Sequence, residues 1–256
     1  SRHAVVVARW QGFGREENRL MGYLMQIGSA AAAHIIRGVS VLALGLCFAG
    51  TAEAREDEQL WTAASVNVKL DDRWRLSEEV VARFSDNRNG LYEVESSTLL
   101  NFKVGKDVTI AAGYVHNPQY SDGDFTVLER RAREQITFDN LARIGGGKLS
   151  ARVRMEQRWR ENVDGTGWRM RPYVKYSLPL RGKTSLTLSS EAFVNLNTTA
   201  FQRQDGLDRV RNLIAINTPL ARNLTLEAGY LNQHGFVRGG EDTSDNVASA
   251  SLSLSL

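Results

Sequence analysis

From Arg152 to Arg160 every second residue is charged: Arg152, Arg154, Glu156, Arg158 and Arg160 alternate with Val153, Met155, Gln157 and Trp159. Successive side chains of a β-strand point to opposite faces, so this run makes a strand with one ionic face and one almost wholly apolar face. The pattern recurs to Leu256. A wall of that kind suits a transmembrane β-barrel, in which a closed sheet pairs every backbone group, apolar side chains meet lipid and polar ones line the lumen.

Residues 1–54 read as a leader. Arg37 supplies a positive segment, Val39 to Ala49 is an apolar run, and Ala52-Glu53-Ala54 is a small-residue cleavage site that would release a chain beginning at Arg55. The apolar run is too short for a transmembrane helix, which needs about 20 residues. Ser1 to Leu20 precede Met21 and Met25, either of which can serve as a start, and no function is assigned to them. Cys47 lies inside the apolar run behind Leu46, where a lipoprotein signal would have a small residue. The chain after Ala54 therefore has no cysteine, which excludes disulfides and thiolate metal sites from the domain expected over 55–256. Five of the 32 basic residues and three of the 29 acidic ones fall in the leader, leaving 27 against 26 and a net charge of about +1. That balance gives no argument for a nucleic-acid partner.

Eleven segments from Leu60 onward have strand character, near 60–70, 73–84, 91–104, 107–118, 125–138, 147–160, 167–180, 183–197, 207–219, 222–234 and 245–256. Most are long enough to cross a bilayer when tilted, and longer than the usual strand of a soluble sheet. Single-chain bacterial barrels have even counts, so ten or twelve strands are expected, with one run split, missed or outside the wall. Asp71-Asp72, Gly105-Lys106, Arg181-Gly182 and Ala221-Arg222 read as tight turns, whereas 85–90, 119–124, 198–206 and 235–244 read as longer loops. Short turns at one end and long loops at the other are the habit of outer-membrane barrels. Lys106 to Asn117 and Arg222 to Gln233 echo one another, and their mid-strand Gly113 and Gly229 predict close packing or bending of the wall.

The expected inward set holds Glu129, Arg131, Arg133 and Gln135; Arg152, Arg154, Glu156, Arg158 and Arg160; Arg169, Arg171, Tyr173 and Lys175; Glu191, Phe193 and Asn195; Arg209, Arg211, Glu227 and Gln233. The opposite set includes Ile110, Tyr114, Leu188, Ile214, Ile216, Tyr230 and Leu252. Arg130 and Glu134 break the alternation, which predicts a bulge there or a strand end above the bilayer. Alternation alone also allows a soluble, lipocalin-like barrel with the arginines in water. Three features favour the membrane. Trp159 and Trp168 share the apolar face around a loop expected at 161–167, where an aromatic girdle would lie. The last strand has an Ala/Leu face and a Ser face, as a closing strand would, and cysteine is absent.

The stretch ARVRMEQRW followed by WRMRPYVKYSLPL, LSSEAFVNLN and RNLTLEAGYLNQ resembles the bacterial family of predicted outer-membrane proteins catalogued as domain of unknown function 2490. The resemblance runs from Gln59 to Leu256, and its most specific part is R-x-R-x-E-Q-R, here Arg152, Arg154, Glu156, Gln157 and Arg158. Family members usually show Asn-Arg where this chain has Asp208-Arg209. The resemblance implies a barrel in the outer membrane of a Gram-negative bacterium and no activity.

Guanidinium groups two apart on a strand lie about 7 Å from each other, and those on adjacent strands about 5 Å. So many cations in one lumen require compensation by Glu129, Glu156, Glu191 and Glu227, by water or by bound anions. One reading is a structural Arg–Glu network that fills the barrel. A second is an anion-selective passage, since rings of arginine select anions. A third is a lipid-acting hydrolase or acyltransferase built on His116 or His234, which follow the two echoed segments with Ser121 and Ser244 nearby. No metal-ligand spacing, phosphate loop or basic-aromatic patch is present in the sequence, so no metal, cofactor or nucleic-acid partner is expected. The expected partners are outer-membrane lipids, the outer-membrane assembly machinery and anionic small solutes.

Overall fold

A computed structural model describes residues 55–256. The leader, its cleavage site and Cys47 lie outside the described residues. The chain forms eleven strands: β1 (Arg55–Lys69), β2 (Trp74–Ser85), β3 (Gly90–Lys103), β4 (Val108–Ser121), β5 (Asp124–Ile144), β6 (Gly147–Arg160), β7 (Val163–Pro179), β8 (Ser185–Asn195), β9 (Gly206–Pro219), β10 (Leu224–Gly235) and β11 (Thr243–Ser255). Each pairs antiparallel with the next, and β1 pairs with β11 to close the barrel. All eleven segments read from the sequence are in the wall, so the expectation of an even count is corrected. In a meander the strand direction alternates, so an odd count sends the first and last strands the same way. The seam is accordingly parallel, with Arg55 opposite Thr243 at one end and Asn67 opposite Ser255 at the other.

The connections sort by end as expected. The turns after β1, β3, β7 and β9 share one end with the Gly145-Gly146 hairpin, and the long segments after β8 and β10 lie at the other. Local chemistry fixes the short ones. Asp71 Oδ1 accepts from the amides of Arg73 and Trp74, both at 2.7 Å, and locks the first turn. Two expected loops are absent. The 119–124 segment is absorbed into β4 and β5, leaving Asp122 and Gly123 as a two-residue turn with φ of 53° and 86°, the positive values a hairpin of right-handed twist requires. The 161–167 segment likewise becomes strand from Val163 onward.

Gly113 and Gly229 are the two described glycines where an added Cβ would run into the backbone of a neighbouring strand. A Cβ on Gly113 would run into the backbone of Thr98 and Leu99, and one on Gly229 into the backbone of Ile214 and Ala215. The internal echo therefore marks two places where neighbouring strands close on one another. Gly229→Val is expected to cost at least about 2 kcal/mol through overpacking against a backbone that cannot yield. Gly105→Ala, in a turn with open space around it, is expected to change stability by less than about 0.5 kcal/mol. The fraction refolded into a heat-modifiable band on unboiled gels distinguishes the two variants.

Alternation then sorts the side chains. Ile110, Tyr114, Leu188, Ile214, Ile216, Tyr230 and Leu252 are exposed on the outer wall, as are Leu60, Leu76 and Val80. The inner face holds a small apolar cluster of Trp61, Leu231 and Val247, packed by Leu213, beside a much larger ionic lattice.

Candidate functional site: an ionic lattice across the lumen

The lattice is assembled by register. Opposite residues on paired strands share a face, so Arg131 faces Arg158, Arg133 faces Glu156, and Glu156 faces Arg169 on its other side. At the centre stands Glu156, fully buried, with a carboxylate shared by three arginines. Its Oε1 accepts from Arg133 at 2.8 Å and Arg171 at 3.0 Å, and its Oε2 accepts from Arg169 at 2.5 Å. Glu129, also fully buried, takes Arg131 at 2.6 Å and Arg158 at 2.9 Å, with Arg160 at 3.4 Å. Glu191 joins Arg171 at 2.8 Å to Arg152 at 2.7 Å. Glu95 bridges Arg131 at 2.9 Å and Arg133 at 2.8 Å, and Arg83 pairs with Glu93.

These contacts close a circuit around the lumen. Beginning at Trp61 on β1, the ring is covered by Arg211 of β9 at 4.5 Å; that guanidinium also covers Phe193 of β8 at 4.5 Å. Phe193 is in turn covered by Arg171 of β7 at 4.3 Å, and Arg171 leads to Glu156 of β6, Arg133 of β5 and Glu95 of β3. Glu95 lies 3.5 Å from Arg83 of β2, whose guanidinium lies over the starting ring of Trp61, 4.7 Å away. Desolvated cation–π contacts of this kind contribute about 2 kcal/mol each. A cavity of about 360 Å³ lies on the loop side of this layer and one of about 190 Å³ on the turn side, and they share no lining residue.

The long β8–β9 connection reinforces the layer. Gln202 turns inward and is almost completely buried; its carbonyl accepts from Arg158 at 2.9 Å, and its amide nitrogen donates to the backbone oxygens of Trp168 at 3.1 Å and Asn197 at 2.7 Å. The ring of Phe201 lies under Arg158 and Arg160.

Most of the sequence-derived inward set meets here: Arg131, Arg133, Arg152, Arg154, Glu156, Arg158, Arg169, Arg171, Glu191 and Arg211. Arg154 is paired with Gln135 at 2.9 Å rather than with a carboxylate. Glu227 does not join the lattice. It accepts only from Asn217, at 3.4 Å, because β10 faces the apolar and serine-rich part of the lumen. Its expected role falls to Glu93 and Glu95, which the sequence reading missed along with Arg83, Trp61, Asn117 and Gln202. The signal was present in the alternating Glu93-Val94-Glu95, but Leu99 continues that face inward while Ser96 and Thr98 continue the outer one, which blurs the pattern. Arg209 bonds its neighbour Asp208 at 2.9 Å. Phe193 faces Arg209 and Val194 faces Leu207, so Asp208 is the extra residue of a bulge.

Arg130 and Glu134 are exposed on the outer wall, and no bulge falls between them; the register of β5 shifts only at its two ends. Of the two expected explanations, a bulge between these residues is thus excluded. Arg130 stands beside Trp159, and Trp159 and Trp168 are both outward, 38% and 40% exposed. Glu78 shares this wall and accepts from Ser96 at 2.7 Å and from Thr98.

The two histidines do not form a common site. His116 on β4 and His234 on β10 are separated by four strands on the shorter way around. His234 bonds Asp242 at 3.1 Å and stacks edge-on against Phe236. The Val237 amide, with His234 as a second donor, holds the Asp242 carboxyl below its usual range. Ser244 faces His234 across the strand pair, but its hydroxyl accepts from Asn232 at 3.0 Å. Ser121 bonds Asp122. Neither serine is hydrogen-bonded to a histidine among the described residues, so these two pairs do not form a serine–histidine nucleophile there.

Fold and site together define a closed meander barrel with an apolar outer wall and an ionic layer across its interior. The chain belongs to the family described as "Protein of unknown function (DUF2490)", whose model matches residues 58–244. It is 28% identical to an uncharacterized protein of Methylorubrum extorquens over 226 residues, covering 85% of this chain and 98% of that protein. No solved structure matches the chain.

Proposed function

We propose that the barrel resides in the outer membrane of a Gram-negative bacterium, brought there by the leader ending at Ala54, and that its Arg–Glu lattice is a structural plug that keeps the lumen shut. The observation that carries this reading is the circuit from Trp61 through Glu156 and back, inside a wall whose large exposed side chains are mostly aliphatic or aromatic. Buried arginines hold the strands at fixed separations only if every carboxylate is bonded, and the central ones are shared by two or three guanidinium groups. Trp159 and Trp168 mark the loop-end interface as a girdle, and Arg130 beside them snorkels toward it. Outer-membrane lipids and the assembly machinery are the partners this placement requires.

The test is electrical. Purified mature barrel in planar bilayers is expected to be silent, whereas steady wild-type conductance would defeat the plug. Monodispersity in plain buffer without detergent would defeat the membrane placement. A further expected result concerns Glu134, whose carboxylate faces outward. Glu134→Leu is expected to raise stability against urea in phospholipid vesicles by roughly 1 kcal/mol, because a charge on the lipid face is unfavourable there. In a barrel bathed by water the same change would promote aggregation instead.

A further inference from the structure

The cavity on the loop side of the plug has a charge excess that the protein does not satisfy. Nine arginines and five carboxylates line its roughly 360 Å³. Counting also Glu129, Glu156 and Glu191, which bond lining arginines from behind, and Arg133 and Arg152, which share the last two of these, eleven arginines meet eight carboxylates, an excess of three positive charges. The carboxylates are already engaged: Glu93 and Glu95 by arginines of the lattice, Asp208 by Arg209, Asp57 by Ser85 and Asp245 by Gln233. Four of the arginines have donors to spare. Arg211 donates through Nε to Gln233 at 2.7 Å and has no carboxylate partner among the described residues. Arg209 bonds through Nε alone. Arg160 reaches Glu129 at 3.4 Å, on an oxygen that Arg158 already holds at 2.9 Å. Arg88 lies over the ring of Tyr92 without a carboxylate partner among the described residues. A guanidinium has five N–H donors, so most of the hydrogen-bonding capacity of these four is directed to whatever fills the cavity.

We propose that this cavity is a binding site for a compact polyvalent phosphate. A single carboxylate would neutralise only one of these charges. Two or three phosphoryl groups neutralise all of them within a volume typical of small-ligand pockets, and the planar fork of arginine matches phosphate oxygens in pairs. The proposal rests on the lumen being plugged, since the lattice forms the cavity floor and makes the site blind rather than a stage in a passage. The same chemistry occurs in a diphosphorylated lipid headgroup and in a free oligophosphate.

The experiment is calorimetric titration of the full mature barrel, in zwitterionic detergent, with tripolyphosphate at an ionic strength held constant with KCl. Saturable one-to-one binding is expected, weakened roughly tenfold or more in Arg160→Gln/Arg209→Gln, as loss of charge-assisted hydrogen bonds predicts. Arg222→Gln, on a turn at the other end, is expected to bind as wild type does. Absence of saturable heat, or equal affinity in the double variant, overturns the site. If the double variant does not fold, the wild type decides: tripolyphosphate must protect it from urea beyond the effect of KCl, and equal protection overturns the site. Competition by diphosphoryl lipid A in mixed micelles supports a headgroup source; binding without competition supports a free anion. Conductance recorded on the same preparation separates the two failures. A silent barrel that binds nothing loses only the site, and a conducting one loses the plug.

Discussion

Glu156→Ala is expected to destabilise the barrel by about 3–5 kcal/mol, the usual cost of stranding buried charges after one partner is removed. Three arginines, Arg133, Arg169 and Arg171, converge on this carboxylate in a setting where all four side chains are buried. Arg133 would keep Glu95, and Arg171 would keep Glu191, but Arg169 has no other carboxylate partner among the described residues. Urea unfolding in vesicles, followed by tryptophan fluorescence, measures the loss. Glu227→Ala is the matched control. Glu227 also lies on the inner face, yet it touches only Asn217, so the change is expected to stay within about 1 kcal/mol. Equal effects in the two variants would mean that the lattice contributes no more than an ordinary lumen carboxylate.

The second large effect is expected in conductance. Replacing Arg133, Glu156 and Arg171 together by serine removes three consecutive links of the circuit and shortens each side chain. A silent barrel then becomes a conducting one. Because Arg131, Arg152, Arg154, Arg158 and Arg169 remain in the lumen against Glu95, Glu129 and Glu191, cations still outnumber carboxylates there, and current across a KCl gradient is expected to reverse toward the chloride potential. A triple variant that folds and stays silent would show that other groups close the barrel. Serine at all three positions is preferable to truncating Glu156 alone, since removing cations with the anion strands one arginine, Arg169, instead of weakening the pairing of three.

The wall was legible in the sequence because its signal is local. The alternation from Arg152 to Arg160 and the aliphatic face of Leu186 and Leu188 depend only on the pleat of one strand. The glycines of the echo, Gly113 and Gly229, were legible for a related reason: glycine inside a strand weakens it unless something approaches closely, and here the neighbouring backbone does. Loop lengths at 119–124 and 161–167 were misjudged because polar residues at a strand end continue the ladder when the partner strand continues too. Compositional cues for turns cannot register that cooperation.

What the sequence determined alone is the class of wall: long two-faced strands, ions on one side and apolar side chains on the other. Tertiary structure decided the parallel seam, the exclusion of Glu227, the recruitment of Glu93 and Glu95, and the burial of Gln202 from a distant loop. The physical reason is that facing is set by each residue's own backbone, whereas partnership inside a barrel is set by register and closure. Those relations join residues far apart in the chain, and no single strand contains them.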